Sequence, residues 1–167
     1  MAARPRATRR TGKAARRRPA SRYTIDASVF VNAFNPHEDG HARSLELLAA
    51  IREAGDAVLV PSLMVAEVAS AVSRASGDAA AALEYALAAA ALPHITLVSL
   101  TPQLAGQAAE LAATHRLRGA DAVYVAVARR YGATLVSRDE EQRARGAAVT
   151  TCRTPEQALA ARSILHR

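Results

Sequence analysis

From Tyr23 onward the sequence predicts one α/β domain, a parallel sheet with helices on both faces. Three observations carry that expectation. Short apolar runs alternate with longer helical patterns, as strands joined by crossover helices require. The chain has 167 residues, 50% of them hydrophobic, enough for a single core that buries about 70% of the unfolded surface. Its charge is segregated: residues 1–22 hold nine cations and no acid, whereas the remainder sets 13 cations against all 15 acids, a body charge of −2.

Residues 23–25 read as a first strand and 29–31 as its continuation. Residues 41–54 carry Leu45, Leu48 and Ile51 on one face and stop at Gly55, the pattern of a helix. A buried strand over 57–60 ends at Pro61. Helices over 63–74 and 79–92 are separated by Gly77, and 95–98 is a strand. Helices over 102–115 and 120–131 lead to a strand at 134–136, a short helix at 140–145 and a last strand at 148–150. Pro155 opens a terminal helix that runs to about residue 161.

Composition removes several classes. With Gly 8, Pro 7 and Cys 1 the chain is neither collagen-like nor stapled by disulfides, and the lone Cys152 fits a reducing cytoplasm. No apolar stretch approaches the roughly 20 residues that span a bilayer, and residues 79–92 are interrupted by Glu84, so a soluble protein is expected. The basic segment 1–22, broken by Pro5, Gly12 and Pro19, lacks apolar periodicity and reads as a disordered extension to a domain over 23–167. A signal peptide would need an apolar run after Arg9 and Arg10, where Arg16, Arg17 and Arg18 stand instead. Two readings of the extension stay open: a sequence-independent tether to nucleic acid through phosphate contacts, or a solvated appendage.

In open parallel sheets function gathers beyond the carboxyl ends of the strands, where strand order reverses. Asp26 follows the first strand and Asp139 the run 134–138. Taken singly, each reads equally as a turn acid or helix N-cap. Glu67 sits on a mostly apolar helix face beside Leu63, Met64, Ser70 and Ala71, where a carboxylate is costly to desolvate without a partner. Asp121 begins an otherwise apolar helix, where a cap or the helix dipole would also account for it. Four acids in similar settings shift the balance. Were they to converge, repulsion would raise some of their pKa values unless divalent cations neutralised them, and an all-oxygen donor set favours Mg²⁺ or Mn²⁺ over zinc. His37 and His41 are spaced i,i+4 without an HExxH context, and His94, His115 and His166 are scattered, so the histidines read as surface residues. Phosphate-binding glycine loops of the GxxxxGK[ST] or GxGxxG type are absent from the sequence.

The segments YTIDASVFV, VAEVASAV, RGADAVYVAVA and TLVSRDEEQ together resemble the four acidic blocks of the PIN domain, in family order, over residues 23 to about 160. The likeness is greatest to the VapC toxins of bacterial type II toxin–antitoxin pairs. It implies a three-layer α/β/α fold around a parallel sheet of four to five strands. It also implies an endoribonuclease in which Asp26, Glu67, Asp121 and Asp139 hold one or two Mg²⁺ or Mn²⁺ ions, Asp26 and Asp121 centrally. Ser28 and Ser137 would steady ligands or water, or serve only as turn residues. Arg116 and Arg118 would meet RNA phosphate, or stand as exposed loop cations. The fourth block is chosen at Asp139, rather than the adjacent Glu140 or Glu141, by its spacing from Ser137. A cognate antitoxin and a homodimer follow from the same resemblance, whereas the basic extension departs from the family pattern. Two other readings compete: a non-catalytic nucleic-acid-binding module on the same fold, and a metal-dependent nuclease or phosphatase acting on another substrate.

Overall fold

The computed structural model describes residues 21–165. Apart from Ser21 and Arg22, the basic extension expected over residues 1–22 lies outside the described residues, and Arg22 already belongs to the sheet. In chain order the elements are β1 (Arg22–Ile25), α1 (Ala27–Phe34), α2 (His41–Ala54), β2 (Ala57–Pro61), α3 (Leu63–Ser76), α4 (Ala79–Ala90) and β3 (Ile95–Val98). There follow α5 (Pro102–His115), α6 (Gly119–Tyr131), β4 (Thr134–Val136), α7 (Glu140–Gly146), β5 (Cys152–Arg153) and α8 (Pro155–Leu165). No described helix is long and apolar enough to cross a membrane.

All five strands run parallel in the order β3-β2-β1-β4-β5. The chain steps outward from β1 to β3, then recrosses the sheet to lay β4 against β1. Strand order therefore reverses between β1 and β4, and a crevice opens at their carboxyl ends. Helix contacts fall into two groups: α1, α2, α3, α4 and α8 on one side, α5, α6 and α7 on the other, giving the expected α/β/α layers. Helix α6 is buried continuously from Ala122 to Ala128 and lies against β1, β2 and β4. Its all-round apolar surface is the reason it occupies the middle of the fold.

Two expected strands are differently built. Residues 29–31 belong to α1, because Asp26 accepts a hydrogen bond from Ser28 N–H at 2.8 Å and caps a helix that starts at once. The pairing on that side has also run out, since the Asp26 N–H already bonds the Val136 carbonyl at the end of β4. A formed cap and buried Val29 and Phe30 outweigh the weak preference of β-branched residues for strands. The last strand is Cys152–Arg153 rather than 148–150. The N–H groups of Val149 and Thr150 both turn back onto the Gly146 carbonyl and are unavailable to a ladder.

At the amino end of the sheet, α8 is tied down by a buried ion pair. Arg162 meets Asp56 just before β2, and also donates to Tyr23 Oη at 3.2 Å and the Ala50 carbonyl at 2.9 Å. Asp56 accepts in addition from Ser21 N–H at 2.8 Å. Both charges are thus compensated and hydrogen-bonded, the condition under which burial of an ion pair is tolerated.

Candidate active site

A cleft of about 890 Å³ opens at the reversal point, and Asp26, Glu67, Asp121 and Asp139 all line it. The four acids arrive from four different junctions: the ends of β1 and β4, the body of α3 and the first turn of α6. The structure thereby brings together every acid singled out in the sequence.

Each carboxylate is held differently. Asp26 is buried, and both its oxygens are engaged: Oδ1 caps α1 through Ser28 N–H, and Oδ2 accepts from Gln142 Nε2 at 3.1 Å. Asp139 caps α7 through Gln142 N–H at 2.9 Å, while its Oδ2 meets Arg118 at 3.3 Å. Glu67 is half-buried and accepts from Tyr124 Oη at 2.7 Å. Asp121 accepts no hydrogen bond from any described residue.

This arrangement leaves negative charge uncompensated. Burial pushes the Asp121 carboxyl up to about 6, helped by the charges of Asp26, Asp139 and Glu141 and opposed by Arg118. Burial likewise raises Glu67, as do Asp26 and Asp121, while the Tyr124 hydroxyl works the other way. These couplings show that the acids feel one another across the cleft.

The serines hold backbone around the acids. Ser28 Oγ accepts from Arg138 N–H at 3.1 Å, joining the ends of β1 and β4, and Ser137 Oγ accepts from Asp139 N–H at 3.0 Å. Arg118 lines the cleft, bridging Asp139 and Glu141. Arg116 is not among the cleft residues; it ends α5 in a left-handed conformation, φ 55°, and its carbonyl takes the Arg145 guanidinium. Of the histidines expected at the surface, His37 is exposed, whereas His41, His94 and His115 are half-buried and His166 lies outside the described residues. None of these four lines the cleft.

Several residues in or behind the cleft were not singled out in the sequence. Gln142 is fully buried, donates to Asp26, and leaves its Oε1 without a partner among the described residues. Tyr124 had been absorbed into an apolar helix pattern. Glu38 joins the lining from the loop after α1, held by Asn32 Nδ2 at 3.1 Å and Asn35 Nδ2 at 3.2 Å. Arg138 pins that loop by donating to the Asp39 carbonyl at 2.8 Å. It passes so close to Gly40, whose φ is +81°, that a Cβ there would lie 2.2 Å from its guanidinium. The left-handed φ is what calls for glycine; the guanidinium is the end of a flexible side chain and can move aside.

The chain is thus an α/β domain with a carboxylate-lined cleft at its strand-order reversal. The chain matches the PIN domain over residues 23–147 and belongs to that family. PIN domains and VapC homologues are nucleases. The fold is similar to that of Mycobacterium tuberculosis VapC20, a sarcin-ricin loop cleaving toxin, with TM-score 0.63 and 21% identity over 73% of this chain and 93% of that one. It is also similar to FitAcB from Neisseria gonorrhoeae, TM-score 0.61 and 21% identity over 80% and 98% of the two chains. A third likeness is to VapBC2 from Rickettsia felis bound to a DNA fragment from its promoter, TM-score 0.57 and 18% identity over 80% and 98%. No curated protein matches the chain.

Proposed function

We propose that the chain is a Mg²⁺- or Mn²⁺-dependent endoribonuclease, the toxin of a toxin–antitoxin pair acting in the cytoplasm. The observation that carries this reading is the gathering of four carboxylates, two of them raised by burial and repulsion, on one cleft at the reversal point. Oxygen-only donors suit a hard divalent cation. Among the described residues no three Asp, Glu, His or Cys side chains stand close enough together to hold a metal ion, so the reading calls for one or two carboxylates per ion, the number Mg²⁺ takes when it keeps several waters. Asp26 and Asp121 would be the central ligands, with Glu67 and Asp139 holding a second ion or binding through water.

When bound, the ion lowers the pKa of a water and offsets charge on the phosphodiester. The chain's own groups prepare the site. Ser28 N–H and the Gln142 amide fix both oxygens of Asp26, and the Tyr124 hydroxyl fixes Glu67. Ser137 sets the backbone of Asp139, whose charge Arg118 partly balances. A cognate antitoxin would place a basic side chain among these acids, and the toxin would dimerise. The neighbouring fold in the VapBC2 complex supports the antitoxin, and the sarcin-ricin loop cleavage of VapC20 supports RNA as substrate class.

Incubation with structured and single-stranded RNA, and with DNA, in Mg²⁺, Mn²⁺ or EDTA tests the proposal. The expected result is RNA cleavage that needs metal, spares DNA and vanishes in Asp121→Asn. Binding without cleavage under every condition would favour a non-catalytic module and sink the nuclease reading.

A further inference from the structure

Among the described residues three arginines line the cleft: Arg74, Arg118 and Arg138. Two are committed. Arg118 bridges Asp139 and Glu141, and Arg138 is spent on the Asp39 carbonyl and, at 3.7 Å, on Glu156. Arg74 alone of the three has no carboxylate partner among the described residues; its one contact is the Ser70 hydroxyl. It is exposed, as is Ser70.

The placement is set by helix geometry. Glu67, Ser70, Ala71 and Arg74 stand at i, i+3, i+4 and i+7 on α3, so all four face the cleft along one stripe. Glu67 and Arg74 lie two turns apart, about 10 Å along the helix axis. The stripe thus runs from the acid cluster to a cation whose charge is not neutralised. An anion there would meet a planar guanidinium with open donors and an adjacent hydroxyl, a combination suited to phosphate oxygens.

We propose that Arg74, with Ser70, binds a backbone phosphate flanking the scissile one, and so selects a polynucleotide strand over a small phosphate ester. This rests on the reading of the cleft as a nuclease site. A mononucleotide seated at the acids offers a single phosphate, whereas a strand laid along α3 presents further phosphates to Arg74. Arg118, by contrast, already bridges Asp139 and Glu141.

The test uses a fluorescent single-stranded RNA decamer with the full-length chain carrying Asp121→Asn, in Mg²⁺, and reads Kd against salt. Adding Arg74→Ala should weaken binding roughly tenfold, equally for different sequences, and reduce the slope of log Kd against log salt by about 0.7. Arg74→Lys should restore most of the slope. Arg43→Ala, which removes an exposed cation paired with Glu46 away from the cleft, should change neither quantity. In the chain with Asp121 intact, Arg74→Ala should raise KM for the decamer with kcat within about twofold. An unchanged slope, or a kcat loss with KM unchanged, overturns the assignment. Wild-type chain that binds the decamer through Arg74 but never cleaves it would defeat the nuclease reading and leave the phosphate subsite standing. Failure to bind RNA at all would defeat both.

Discussion

The two ends of the sheet treat buried carboxylates in opposite ways. At the amino end Asp56 is answered by Arg162, and the pair is closed off by Tyr23, Ser21 and the Ala50 carbonyl. At the carboxyl end Asp26, Glu67 and Asp121 are oriented by neutral donors or by none, and the exposed Arg118 reaches only Asp139 and Glu141. One end is neutralised by the chain itself. The other is not, and on the proposed reading a cation from outside would neutralise it, at a cost in folding stability that a functional site can justify.

Substitutions at the two ends should therefore separate activity from stability. Asp121→Asn should abolish metal-dependent RNA cleavage by about 10²-fold or more, while the Tm of the metal-free chain at pH 7 stays level or rises, as relief of repulsion requires. A cleavage assay beside thermal unfolding reads both. Arg162→Ala should do the reverse. Stranding Asp56 as a buried uncompensated charge costs about 3–5 kcal/mol, a Tm loss of roughly 10 °C, with cleavage per folded molecule unchanged. Replacing both partners by leucine should recover most of that loss, because the desolvation cost disappears with the charges.

Smaller effects sharpen the contrast. Gln142→Leu removes the donor on Asp26 Oδ2 and should weaken Mn²⁺ binding about tenfold with the fold retained, measured by calorimetric titration. Gln142→Glu should be worse, since it sets a carboxyl against Asp26. The pH dependence of stability is smaller still, because Asp121 is half-exposed and solvent screens it. Its folded value of about 6 lies above the ordinary 3.8, so between those values the folded chain binds more protons than the unfolded one. Stability of the metal-free chain should then fall as pH rises from about 4 to about 6, and Asp121→Asn should flatten the curve. Urea midpoints across that range check the sign.

The sequence carried most of the fold because the apolar runs and their glycine and proline stops are local signals. It carried the four acids because two follow strands and two interrupt apolar helix starts. The cap reading of Asp26 and Asp139 holds for one oxygen of each, while the other oxygen turns to a neighbour, Gln142 for Asp26 and Arg118 for Asp139, so capping does not exclude a part in the site. What escaped was tertiary. Tyr124 looks like one more member of a buried helix until α3 brings Glu67 to its hydroxyl, and Gln142 looks like an ordinary polar residue until α7 packs beneath Asp26. Arg74 was within reach, since it stands seven residues after Glu67 on a predicted helix. Residues 29–31 were misread because the same Asp26 that marks the site also starts a helix there.

On the proposed reading the carboxyl-end acids take up a divalent cation that the amino-end pair does not need. Thermal unfolding of the wild-type chain with and without Mn²⁺, beside Asp121→Asn and Arg162→Ala, tests it directly. The account predicts that Mn²⁺ raises Tm in the wild type and in Arg162→Ala but not in Asp121→Asn. An equal rise in all three, or none in the wild type, would contradict it.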